Sequence, residues 1–201
     1  MFIYRSTIIK NMQKKDLIYR YLLLFPETTQ LEIAKTLQIS LSTVNNAIQP
    51  LRGLGAVQVG PRKLRVIDKE KILLFWACVR KLHNDILYST RVDLPVNQIE
   101  KLMPPQILFT AYSGFKFRYK DVPADYSEIY IYALENNLES IVSRFRENSK
   151  KSNLFVLSGD EHLFRISKSS IVPDEQLFVD LWNLHEWYAK EFVIKLKEKI
   201  L

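Results

Sequence analysis

The chain has 201 residues, 47% of them hydrophobic and 25% charged, with a formal net charge of +7 and a single cysteine. That is enough apolar material for one large or two small folded cores, and it reads as a soluble globular protein. A lone Cys78 excludes an intrachain disulfide framework of the secreted kind, and the longest apolar run, Ile72 to Val79, falls far short of the roughly 20 residues a membrane span needs.

The charge is unevenly distributed. Residues 1–66 hold 10 Lys+Arg against 3 Asp+Glu, whereas residues 67–201 hold 19 of each. All of the excess positive charge sits in the first third, which points to a polyanionic partner for that segment alone. The N-terminal stretch MFIYRSTIIKNMQKK has one basic residue before a short interrupted apolar patch and no small-residue cleavage site, so no signal peptide is expected and the expected compartment is the cytoplasm.

In chain order, Lys14 to Phe25 reads as a first helix with Leu17, Ile18, Tyr21, Leu22, Leu24 and Phe25 on a wide apolar face, stopped by Pro26. Thr28 or Thr29 is placed to cap a second helix, in which Leu31, Ala34 and Leu37 fall three apart. After the corner Gln38-Ile39-Ser40, with Ser40 as the next cap, Val44, Ala47, Ile48, Leu51 and Leu54 recur at helical spacing. The face left over carries Ser42, Thr43, Asn45, Asn46 and Gln49, short polar groups able to donate and accept along base edges. Pro50 removes one helical hydrogen bond and predicts a bend or an early end. Gly53 and Gly55 have the G-x-G spacing of a dinucleotide loop, but they follow a helix and open a strand, so they end the helix instead. Ala56 to Val59 and Leu64 to Ile67 then form a hairpin around Gly60-Pro61-Arg62-Lys63, placing Arg62 and Lys63 at its tip and Arg65 on the return strand. Basic groups there suit phosphates or a minor groove.

Asp68 to Ser89 reads as one long, broadly apolar helix carrying Ile72, Trp76, Val79, Leu82 and Ile86, and residues 91–95 read as a boundary. Beyond it the periodicity is mixed. A short helix over Gln98 to Leu102 is followed by strands at Ile107 to Tyr112, Phe115 to Tyr119 and Glu128 to Ala133. A helix over Asn137 to Glu147 leads to strands at Leu154 to Leu157 and Leu163 to Ile166, then two terminal helices, Asp174 to Leu184 and His185 to Ile200. The expectation is a small α/β domain with helices on one side of a sheet.

The residues from 14 to 67, and above all LEIAKTLQISLSTVNNAI, resemble the winged helix-turn-helix domains of prokaryotic transcription regulators, which implies dimers on palindromic half-sites. The order of elements after residue 96 resembles the minimal nucleotidyltransferase fold, in which a glycine-serine turn is followed by two carboxylates one residue apart on the next strand, so that both reach one Mg²⁺. Here Ser113-Gly114 is reversed, Asp125 stands where the first acid belongs, and Ser127 replaces the second; Glu128 is offset to the opposite face. Catalysis is therefore not expected. Nor is a zinc site, since His83, His162 and His185 are far apart, and no G-x-S-x-G turn offers a serine nucleophile. Finally, Ile171 to Leu184, with the pair Asp180-Leu181, is similar to the closing segment of AbiEi-type antitoxins. That resemblance implies a DNA-binding antitoxin that represses its own operon and counters a separate nucleotidyltransferase toxin.

The expected fold class is thus α+β, with a winged helix-turn-helix over 1–67, a linking helix over 68–95 and a mixed α/β, nucleotidyltransferase-like domain over 96–201. The expected function is a sequence-specific double-stranded-DNA-binding transcription regulator that is not an enzyme and needs no cofactor or metal. Ser42, Thr43, Asn45, Asn46 and Gln49 would lie in the major groove and Arg52, Arg62, Lys63 and Arg65 on phosphates, and a homodimer and a toxin-like nucleotidyltransferase are the expected protein partners. The alternative is a nucleotidyltransferase with an N-terminal winged-helix recruitment domain.

Overall fold

The computed structural model describes residues 14–201; all but the last two residues of the stretch read above for a signal peptide, and the start of the 1–67 domain, lie outside the described residues. The chain is mixed α+β and divides into a first compact unit that runs to Arg80 and a second from Lys81 to Leu201. Among the described residues no helix is long and apolar enough to cross a membrane.

In the first unit, α1 covers residues 14–24. It is more deeply embedded than its apolar face requires: Tyr19, Arg20 and Leu23 are buried together with Ile18, Tyr21 and Leu22, while Phe25 lies past its end and is half exposed. Helix α2 (Gln30–Thr36) starts at Thr29, whose Oγ1 accepts the Glu32 N–H at 3.0 Å. Its buried residues are Ile33 and Ala34, and Leu31, expected in the stripe, faces out. The corner closes because Gln38 takes a left-handed conformation (φ 54°), letting Ile39 N–H reach the Ala34 carbonyl at 3.0 Å and Gln38 N–H the Lys35 carbonyl at 3.3 Å. This pair of hydrogen bonds satisfies two carbonyls that the last turn leaves free. Helix α3 (Leu41–Gly53) then starts at Ser40, whose Oγ accepts the Thr43 N–H at 3.2 Å.

Pro50 does not end α3, which continues to Gly53. The reason is its position: Pro50 is on the exposed side of the helix, so the Asn46 carbonyl that loses its partner can turn to water. The C-terminus repeats the motif of α2, with Gly55 at φ 68° and Ala56 N–H bonded to the Leu51 carbonyl at 2.9 Å. Leu54, expected inside, is half exposed.

Three short strands form one small sheet: β1 (Glu27–Thr28), β2 (Val57–Val59) and β3 (Leu64–Val66), in the order β1-β3-β2 and antiparallel throughout. The hairpin of β2 and β3 falls where its alternating valines and Leu64 predict; two-residue β1 is too short to leave a pattern. Helix α4 (Lys69–Val79), capped by Asp68, ends well short of Ser89. A 3₁₀ turn at Leu82–Asp85 and strand β4 (Ile86–Thr90) take up the remainder in the second unit. Leu82 and Ile86 continued the helical stripe by coincidence of spacing; the β-branched and aromatic character of Ile86-Leu-Tyr-Ser-Thr prevails.

Helix α4 is locked to α1 by one carboxylate. Asp16, buried near the start of α1, accepts the Trp76 indole N–H at 2.5 Å through one oxygen and forms an ion pair with the buried Arg80 guanidinium through the other. Tyr19 packs edge-on against Phe75 at 5.8 Å beside it. A buried indole N–H requires such an acceptor, and a buried guanidinium requires its counter-charge.

In the second unit, β4, β5 (Ile107–Thr110), β6 (Ile129–Ala133) and β7 (Leu154–Ser158) form a sheet of order β4-β7-β6-β5, parallel only between β6 and β7. Both faces are covered, not one. Ile129, Ile131 and Ala133 pack on Ile99 of α5 (Val96–Lys101) and on Ile141 of α7 (Leu138–Arg144) and the following Phe145. On the other face Tyr130 meets Tyr112 of α6 (Ala111–Tyr119), which packs edge-on against Phe192 of α10 (Ala189–Ile200) at 5.0 Å. There the buried Asp180 of α9 (Asp174–Trp182) accepts from Thr110 at 2.7 Å, Tyr132 at 2.9 Å and Gln176 at 2.9 Å. The alternating tyrosines of β6 look like a solvated face in sequence, but both are buried and the Tyr132 hydroxyl is bonded to Asp180. Two expected strands are helices: Phe115 to Tyr119 belongs to α6, and Leu163 to Ile166 to α8 (Glu161–Ile166), whose cap Asp160 accepts the Leu163 N–H at 2.7 Å.

Asp16→Ala removes the acceptor shared by Trp76 and Arg80, and is expected to lower the unfolding free energy by about 3–5 kcal/mol. Urea denaturation followed by tryptophan fluorescence reads this directly; a loss below about 1 kcal/mol contradicts the lock.

Candidate nucleic-acid interface

Helix α3 has two faces of opposite character. Val44, Ala47, Ile48 and Leu51 are at most 1% exposed, while Ser42, Asn45, Asn46 and Gln49 are exposed and Thr43 is half-buried. At 3.6 residues per turn those four exposed side chains span an arc of about 100° opposite the buried stripe. The five do not stand alike. Ser42 and Thr43 hydroxyls belong to the cap, at 3.0 and 2.8 Å from Ser40 Oγ. The side chains of Asn45, Asn46 and Gln49 make no hydrogen bond to any described residue. Each of these amides carries a donor and an acceptor side by side, the pairing that adenine presents in the major groove.

The four expected phosphate contacts divide into two pairs. Arg52, in the last turn of α3, and Arg62, at the hairpin tip, are exposed and have no ion pair among the described residues. Lys63 and Arg65 both hold Glu27, at 2.5 and 2.9 Å. The cause is the register: β1 sets Glu27 directly opposite Arg65. The Lys63 hydrogen bond, and then the charges of Lys63 and Arg65, hold the Glu27 carboxyl below the usual carboxylate range. All three side chains are about half exposed, so water screens the pairs and an incoming phosphate can displace the carboxylate.

Between the two helix starts and the hairpin lies a cleft of ≈ 400 Å³, lined among others by Thr29, Leu31, Leu41, Pro61, Arg62 and Lys63. Its walls are apolar and its rim cationic. Leu31 is 54% exposed and Leu41 48% exposed. Sequence reasoning missed Leu41 and Glu27. Leu41 stands four residues before Asn45, a spacing that puts it on the polar ridge and not in the stripe; Glu27 carried no signal, because its role depends on a two-residue strand.

The residues weighed for catalysis do not converge. Ser113 and Gly114 lie inside α6, both buried. Gly114 is required by packing, since a Cβ there would stand 3.0 Å from Leu177 Cδ1 and 3.1 Å from the Phe109 carbonyl oxygen. Asp125 and Ser127 are exposed in the loop before β6, and Glu128 directly precedes that strand. The alternation that assigned them to opposite strand faces therefore has no strand to act on. Glu128 accepts hydrogen bonds from Tyr188 and from Ser127, the latter at 2.8 Å. His83 and His185 are exposed and His162 is half-buried, and among the described residues no three His, Cys, Asp or Glu side chains gather as a metal-holding group. In the closing segment Leu177, Phe178 and Leu181 of α9 are buried, while Trp182 is half exposed.

Glu27→Gln is expected to strengthen binding of a duplex DNA to the full chain by about fivefold at low salt, the value of one unit charge removed a few ångströms from a phosphate in water. Unchanged or weaker binding shows that Glu27 serves to hold the hairpin in place. Comparison with protein-family models, with curated proteins and with solved structures returns no match to this chain.

Proposed function

We propose that this chain is a sequence-specific duplex-DNA-binding transcription regulator with a winged helix-turn-helix reading head, acting as an antitoxin-like repressor. The observation that carries the reading is α3: three amide side chains with no partner among the described residues stand on one face, and the opposite face is wholly buried. A helix so arranged can enter a major groove without unfolding anything, its polar edge against base edges. Arg62 at the tip of the wing and Arg52 at the end of the reading helix supply the sequence-independent part of the affinity, with Lys63 and Arg65 joining as phosphate displaces Glu27. The concentration of positive charge in residues 1–66 supports the first unit as the one that meets DNA. Asn and Gln on the reading face favour half-sites containing A·T pairs.

In this reading the second unit holds and does not react. Asp125 in a loop and Ser113-Gly114 in a helix interior give no shared metal position, so the reading carries no nucleotidyl transfer by this chain. A second copy and a toxin-like nucleotidyltransferase are the partners that the winged-helix and antitoxin resemblances imply, and a repressor acting on a palindromic operator requires the former.

Electrophoretic mobility shift with the full chain on the DNA upstream of its own reading frame tests the proposal. Arg62→Ala is expected to weaken binding to every duplex alike and to reduce the slope of log affinity against log salt by about 0.9. Asn46→Ala is expected to alter which duplex is preferred, costing about 1–3 kcal/mol at one base pair only. Equal binding of upstream and scrambled DNA by the unaltered protein removes the reader assignment, and metal-dependent nucleotide incorporation lost in Asp125→Ala establishes the enzyme instead.

A further inference from the structure

The reading ridge of α3 begins with a residue of the wrong polarity for a solvated helix start. Leu41, Asn45 and Gln49 succeed one another four residues apart and so form one ridge along the helix. Asn45 and Gln49 are exposed amides, and Leu41 is an aliphatic side chain 48% exposed at the first helical position. It also walls the cleft whose opposite side is Pro61 and Arg62 of the hairpin, and Leu31 at 54% exposed faces the same space. Neither leucine contributes to the core of its helix, whose buried residues are Ile33 and Ala34 in α2 and Val44, Ala47, Ile48 and Leu51 in α3. An exposed apolar group at the tip of an otherwise polar ridge has one complement in the major groove, the C5-methyl group of thymine, the only apolar feature any base presents there.

We infer that Leu41 is a specificity-determining residue that selects a thymine by contact with its 5-methyl group; the inference rests on the DNA-binding reading above and adds to it the base that the tip of the helix selects. The spacing fixes where that base stands. Four residues of helix advance by about 6 Å, against 3.4 Å per step along one DNA strand, so the thymine lies about two base pairs from the base pair that Asn45 contacts. Arg62 across the cleft is then in position to hold the sugar-phosphate strand that carries it, an arrangement in which the cleft is filled by backbone and not by a free small molecule.

The experiment enriches a randomised 24-bp duplex library on the full-length chain, then prepares the winning duplex with each thymidine replaced singly by deoxyuridine, which deletes the methyl group and leaves base pairing intact. Binding is measured for the unaltered protein, for Leu41→Ala and for Asn46→Ala. One deoxyuridine position per half-site is expected to weaken binding by the unaltered protein about fourfold, the worth of one buried methyl. That sensitivity is expected to vanish in Leu41→Ala and to persist in Asn46→Ala. Because Leu41 is half exposed, its replacement leaves the core intact, and the circular dichroism spectrum of Leu41→Ala checks this. If a duplex is enriched but every deoxyuridine is neutral, or the sensitivity survives in Leu41→Ala, the assignment of Leu41 fails while the DNA-binding reading stands. If no duplex is enriched and none is bound, the DNA-binding reading fails and takes this inference with it.

Discussion

Three amides are held out because four aliphatic side chains are held in. Val44, Ala47, Ile48 and Leu51 are essentially inaccessible in α3, and their burial fixes the rotation of the helix about its own axis. A turn of 100° would bury an amide and expose an aliphatic residue, at a cost of about 1–3 kcal/mol for the orphaned polar group alone. The direction in which Asn45, Asn46 and Gln49 project is therefore a packing consequence, as rigid as the core beneath it. The caps define the rest: Ser40 starts the helix and Gly55 ends it, so its length is set at both ends by hydrogen bonds.

What keeps that core closed lies at a distance in sequence. Asp16 on α1 reaches Trp76 and Arg80 at the far end of α4, so the two outer helices of the first unit share one buried carboxylate. The hairpin is governed by a second carboxylate of opposite character. Glu27 is exposed, its two ion pairs are screened, and it orders Lys63 and Arg65 without committing them. A buried acid thus sets the scaffold, while an exposed acid holds two cations ready for exchange. In the proposed function the second is what allows the hairpin to be ordered in the free protein and still available to phosphate.

Much of the first unit was legible in residues 26–67, because its signals are local: Thr29 and Ser40 as caps, the corner at Gln38, the glycines after α3 and the alternation of the hairpin all act within a few residues of where they are written. The early end that Pro50 predicts does not occur, because the missing hydrogen bond lies on the solvent side of the helix, where the freed carbonyl can turn to water. The end of α4 was illegible because Leu82 and Ile86 happen to extend its spacing into a separate unit. In the second unit the period of two in Phe115-Lys-Phe-Arg-Tyr outweighed the helix that tertiary packing imposes around the buried Tyr112 and Phe115. The alternating tyrosines of β6 concealed the covered second face, since nothing local announces that Asp180, far along the chain, will receive the Tyr132 hydroxyl. The candidate interface was legible in its amides and in Arg62; the pairing of Lys63 and Arg65 with Glu27 was not, because only the fold brings β1 beside β3.

The central claim is that α3 discriminates between DNA sequences, and the ratio of two dissociation constants decides it. The full chain is titrated with the duplex it enriches from a random library and with a shuffled duplex of the same base composition, at one fixed salt concentration. The account predicts a ratio of at least about 10³, the lower end of what base-edge reading provides. A ratio near one, with both duplexes bound and equally salt-sensitive, would mean that only the charge of the first unit meets DNA and that the amides of α3 read nothing.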